Sequence, residues 1–67
     1  MLIEPRLIRA AQQIYYNYAC MHPVRAQYVT GVTIDSETYR GFVSFRPHAV
    51  VLPRERFIRI EQLIEME

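Results

Sequence analysis

The chain predicts an α+β fold: an N-terminal amphipathic helix packed on a small bent antiparallel sheet of three to five strands. Three observations carry this. Apolar residues recur at three- and four-residue spacing over residues 5–20, apolar and mixed positions alternate through residues 28–46, and two shorter apolar runs follow, each beside a proline. The 67 residues form one domain, because so short a chain has no room for a second core.

Pro5 suits the first turn of a helix, where its fixed φ is already helical and its missing N–H has no partner to lose. From there Leu7, Ile8, Ala11, Ile14, Tyr15, Tyr18 and Ala19 make one stripe, with Arg6, Arg9, Gln13 and Asn17 opposite. Pro23 disfavours the helical conformation at His22, so the helix closes near Cys20 or Met21.

Residues 28–46 read as two strands joined by a tight turn. With Ser36 and Glu37 as the turn, Ile34 lies opposite Tyr39, Val32 opposite Gly41, Thr30 opposite Val43 and Tyr28 opposite Phe45. The Tyr28, Val32, Ile34, Val43 and Phe45 side is then core, and Gly41, facing Val32, bends the sheet. Val29, Gly31, Thr33, Arg40, Phe42 and Ser44 take the other face. Pro47 breaks the ladder, and residues 48–52 should return as a third strand. Residues 54–66 fit two patterns. Phe57, Ile60, Leu63 and Ile64 share a helical stripe, but Ile58 falls on the wrong side of it, which favours one turn followed by a closing strand.

This succession resembles a small SH3-type barrel of the Sm-like kind. Tyr39-Arg40-Gly41-Phe42-Val43-Ser44-Phe45 is similar to that family's second strand, with a glycine at the bend, and Ala49-Val50-Val51-Leu52 to its apolar third strand. Leu52-Pro53-Arg54-Glu55-Arg56-Phe57-Ile58-Arg59-Ile60 also resembles the end of YolD-like domains. The likeness covers roughly the last 40 residues and implies a barrel, and with it ring oligomers. Sm-like proteins hold RNA through an asparagine and basic signature in their loops. Residues 35–38 and 53–57 carry no such motif, so no RNA-binding residue transfers.

An apolar share of 51% excludes a disordered chain, and a net charge of +1 argues against a strongly electrostatic nucleic-acid binder. All 8 cations are arginine. Arginine's planar fork suits interfaces, carboxylates and phosphates, although a genome poor in lysine codons gives the same set. Glu61, Glu65 and Glu67 make the tail acidic. No signal-like succession opens the chain and no apolar run approaches the roughly 20 residues that span a bilayer, so a cytoplasmic location without membrane contact is expected. Cys20 is the only cysteine, which rules out an internal disulfide. A core this small rarely supplies more than roughly 3–5 kcal/mol, and a partner or a second copy is the natural supplement.

The residues expected for catalysis are missing. Cys20 and His22, even with His48, fall short of the four ligands of a structural zinc site, and a thiol at a helix C-terminus meets the wrong end of the dipole for a nucleophile. Asp35 and Glu37 are turn carboxylates, not acids held across a cleft. No glycine-rich loop is present to cradle phosphate. The expectation is a protein without enzymatic activity, metal or cofactor.

What remains is surface. Tyr16 with Arg9, and Phe42 with Arg40 and Arg46, combine aromatic and arginine side chains as binding hot spots do. These five are the expected partner-binding residues of a small interaction module, acting on another protein or on copies of itself. Its size suits a regulator or inhibitor of the sort that phages and mobile elements encode. The alternative is an RNA binder using Arg40, Arg46, Arg54, Arg56 and Arg59 on phosphates. A second alternative is an oligomer that grips a small anionic ligand between arginine forks.

Overall fold

The computed structural model describes residues 3–65, except for the side chain of Glu65. Along the chain come helix α1 (Pro5–Met21), a short 3-10 helix (Arg25–Tyr28), strands β1 (Gly31–Asp35), β2 (Gly41–Ser44) and β3 (Glu55–Arg59), and helix α2 (Ile60–Glu65). The strands make one antiparallel sheet in the order β2-β1-β3. The α+β reading therefore holds, with three strands and an open sheet.

Helix α1 follows its sequence signals at both ends. The Glu4 carbonyl accepts the Leu7 and Ile8 N–H groups at 3.0 and 3.1 Å. At the other end the His22 N–H donates to the Tyr18 carbonyl at 2.8 Å before Pro23 stops the ladder. Leu7, Ile8 and Ala11 turn inward and meet Val32, Ile34, Ile58 and Leu63, forming the core on one face of the sheet. Arg6, Arg9, Gln13 and Asn17 are exposed.

The hairpin keeps the expected faces but not the expected register. Val32 pairs with Val43, Thr33 with Phe42 and Ile34 with Gly41. This is a slip of two positions, which leaves the residues of β1 and β2 on their assigned faces. The cause is the turn. A two-residue hairpin turn needs positive φ, for which Ser36 and Glu37 are poorly suited. A longer loop forms instead: the Asp35 carboxylate accepts the Glu37 N–H at 2.7 Å and the Thr38 N–H at 3.3 Å. Tyr39 then takes the left-handed conformation at φ 59° and packs its ring against the core.

Three further expectations are corrected. Tyr28 does not enter the sheet; it ends the 3-10 helix and is 69% exposed, because Pro23 and the turn after it delay the strand until Gly31. Phe45 lies past the end of β2 and is partly exposed, so it joins the core side only at its margin. Residues 48–52 are not a strand. Both β2 and β3 run antiparallel to β1, hence parallel to each other on opposite sides of it. The chain leaving β2 must travel back along the sheet to start β3, and residues 45–54 serve as that crossover.

The two readings of residues 54–66 each describe a part. Glu55–Arg59 is a strand with Ile58 fully buried, and Ile60–Glu65 is a helix with Leu63 fully buried. The Gln62 side-chain carbonyl accepts the Arg59 N–H at 3.0 Å as the strand turns into the helix, and the Gln12 side-chain amide donates to the Leu63 carbonyl at 2.9 Å. Residue 66, and Glu67 of the acidic tail, lie outside the described residues.

Candidate functional site

On the face of the sheet turned away from α1, Phe42 reaches solvent, as Met21, Val24 and Tyr28 do around the 3-10 helix. The register sets Phe42, Thr33 and Phe57 in one row across all three strands. Beside that row Gly31 pairs with Ser44 and Arg59. A Cβ at Gly31 would sit 2.6 Å from the Phe57 ring and also strike the Ile58 carbonyl, so the glycine is what allows this ring to lie down on the sheet.

The crossover arches over the same face and leaves a groove of about 410 Å³ beneath it. Phe42 to Arg46 form one wall, Ala49 and Val50 the other, with Thr33 and Glu55 also lining the space. Both ends of the arch are tied down. The Thr30 hydroxyl bonds to the Ser44 carbonyl at 3.0 Å and to the Arg46 carbonyl. At the far end the Glu55 N–H donates to the Leu52 carbonyl at 2.9 Å, while the Glu55 carboxylate accepts the Leu52 N–H at 3.3 Å. Between these ties Val50 is 97% exposed, and Phe42, which lines the same groove, is 63% exposed.

Thr33 is the unusual member. It is only 3% exposed, and its Oγ1 has no hydrogen-bond partner among the described residues. Ser44, also buried on this face, accepts the Arg46 N–H at 3.3 Å through its own hydroxyl. A buried hydroxyl left without a partner is destabilising, and such groups are few in native proteins.

The residues expected to bind a partner divide between two surfaces. Phe42 and Arg46 line the groove. Arg40 is exposed at the hairpin end of β2, its N–H donating to the Thr38 hydroxyl at 3.4 Å. Arg9 and Tyr16 lie on the exposed side of α1, beyond the core and hence on the other side of the molecule, where Tyr16 tilts against Tyr15 at 5.4 Å. Of the arginines expected to meet phosphate, Arg54 pairs with Asp35 at 3.3 Å and Arg59 with Glu61 at 3.6 Å. Arg56 donates to the Pro53 and Glu55 carbonyls. Arg40 and Arg46 have no carboxylate partner among the described residues.

Next to the groove, Phe45 meets the end of α1. Tyr18 stands edge-on to it at 5.9 Å, and the Arg25 guanidinium lies 5.3 Å from its ring centre. Cys20 is exposed, and no group of three or more His, Cys, Asp or Glu side chains gathers in metal-binding geometry among the described residues. Backbone N–H donors in the hairpin loop, that of Glu37 first, together with Arg54 hold the Asp35 carboxyl below its ordinary pKa.

Comparison with protein-family models, with curated proteins and with solved structures found no match. The groove therefore has to be read from its own chemistry. Thr33, Val50 and Glu55 were not among the expected site residues. Thr33 becomes legible once Phe42 is paired with it, and Val50 once its run is recognised as a crossover.

Proposed function

We propose that the chain is a non-catalytic interaction module that binds a partner protein through the outer face of its sheet. The observation that carries this reading is Phe42, an aromatic ring open to solvent in mid-strand and gathered with Val50 and Arg46 around one groove. Large apolar side chains clustered in the open, rimmed by arginine, are the composition of a protein interface. A small regulator or inhibitor that works by occupying its target fits this chemistry, and a second copy of the chain is one form the partner can take.

RNA binding is the second reading, favoured by Phe42 and Phe57 flanking Thr33 as a surface on which bases would stack. Against it stand the ion pairs that occupy Arg54 and Arg59.

Phe42→Ala separates surface from scaffold. It should weaken association with a partner, or dissociate a homodimer seen by light scattering, by tenfold or more, while the melting temperature moves by only a few degrees. Association unchanged by Phe42→Ala contradicts the proposal. Retention of labelled single-stranded RNA that falls steeply between low and physiological salt supports the second reading instead.

A further inference from the structure

The two edges of the sheet are finished differently. At β3 the Ile60 N–H donates to the Thr30 carbonyl at 2.9 Å, so Arg56 and Ile58 also face β1, and Glu55, Phe57 and Arg59 turn their main-chain groups outward. That edge is closed at both ends. The Glu55 N–H meets the Leu52 carbonyl at 2.9 Å, the Arg59 N–H meets the Gln62 side chain at 3.0 Å, and Glu55, Arg56 and Arg59 place charge along the strand. At β2 the Asp35 N–H donates to the Arg40 carbonyl at 2.8 Å, which points Phe42 and Ser44 at β1 and leaves the N–H and C=O groups of Gly41 and Val43 facing away from it. Strand β2 carries no charge and no proline, and no main-chain bond from outside the ladder covers Gly41 or Val43 among the described residues. Resting on the proposed function, we propose that the partner is a second copy of the chain, added antiparallel along β2 about a two-fold axis at Phe42.

The register follows from the strand. Setting Phe42 opposite its symmetry mate places Gly41 opposite Val43 on both sides of the axis, so every outward main-chain group of β2 gains a bond. The neighbouring symmetric registers instead bring in Tyr39, whose φ of 59° takes it out of the extended conformation, or Phe45, beyond the end of the strand. Phe42 then stands at a position without main-chain bonds to its mate, where opposed side chains come closest, and its exposed ring is covered by one of the same kind. Charge agrees with this arrangement. Antiparallel pairing lays the hairpin loop of one copy beside the residues that follow β2 in the other, so Glu37 comes next to the partner's Arg46, twice by symmetry. Both side chains are exposed, and neither has an ion-pair partner among the described residues. Their backbones are placed before association, Glu37 by the Asp35 carboxylate and Arg46 by the Thr30 hydroxyl. Because β3 is closed, the joined sheet β3-β1-β2-β2-β1-β3 ends at its own edges, and association stops at two copies.

The test is light scattering and sedimentation equilibrium of the full chain over a range of concentrations. The parent should move between monomer and dimer with no larger species. Val43→Pro removes an outward N–H without taking a bond from the β1 ladder, so it should stay monomeric while its circular dichroism remains that of the folded chain. Glu37→Arg and Arg46→Glu set like charges together across the axis, and each should raise the dimer dissociation constant about tenfold. Combined, the two reversals restore the opposite-charge pair and should bring dissociation back to within about threefold of the parent. Within one chain these side chains stand at opposite ends of β2, so that recovery can come only from a second copy. The charge reversals decide the matter should Val43→Pro fail to fold. A chain that is monomeric at every concentration overturns this inference and leaves the proposed function to a partner of another kind. A dimer that Phe42→Ala dissociates but that the single charge reversals leave intact also overturns edge pairing and leaves the proposed function standing. A dimer indifferent to Phe42→Ala overturns both.

Discussion

Gly41 shows how little freedom single positions have in a domain this small. A Cβ there would lie 2.8 Å from the Ile34 Cα and would overlap the Thr33 carbonyl, so the backbone of β1 occupies the space a side chain needs. Its φ is not positive, which makes the requirement one of room and not of conformation. Gly41→Ala should therefore cost about 1–3 kcal/mol in urea denaturation by forcing β1 and β2 apart; an unchanged midpoint would contradict the close approach. Asp35 carries a different kind of information. Its pKa is lowered chiefly by the Glu37 N–H, with Thr38 and Arg54 adding to the effect against the opposing pull of desolvation. A carboxylate whose native pKa is depressed stabilises the fold above its ordinary value of 3.8, and that contribution disappears as pH falls through the native pKa. The difference in melting temperature between the parent and Asp35→Asn should thus shrink on acidification from about pH 6 to pH 2. An equal difference at both ends would show that the charge contributes nothing.

Among the elements, α2 is short but firmly placed. Leu63 is fully buried in the core shared by α1 and the sheet, and the Gln12 side chain holds its carbonyl. Leu63→Ala should cost about 2–5 kcal/mol. Against the modest stability of so small a core this is a large fraction, so thermal unfolding should shift down by tens of degrees or be lost at room temperature. A shift of only a few degrees would mean that α2 is an appendage. The helix and the hairpin faces were readable in advance, since each follows from a local period and the slip of two positions preserved it. The crossover was not. Ala49-Val50-Val51-Leu52 has the composition of a strand, but a strand needs an edge to pair with, and the path from β2 to β3 gives this run none.

For the molecule as a whole, the sheet order β2-β1-β3 decides which surface is available. With α1 and α2 on the core side, the opposite face is left to Phe42, Thr33, Phe57 and the arch above them. The same arrangement breaks the expected partner-binding set in two, because a helix covering one face must turn Arg9 and Tyr16 away from the other. It also redistributes charge. The arginines crowded into residues 40–59 look like one basic patch in linear order, yet Arg54 and Arg59 are neutralised by Asp35 and Glu61, leaving Arg46 at the groove.

Periodicity and proline act over a few residues, and they suffice for the α+β class, the extent of α1 and the assignment of Val32, Ile34 and Val43 to one face and Thr33 and Phe42 to the other. The central place of β1, the arch of residues 45–54 and the burial of Thr33 with no hydrogen-bond partner among the described residues emerge in three dimensions. These depend on which distant segments lie side by side, and no local pattern encodes that.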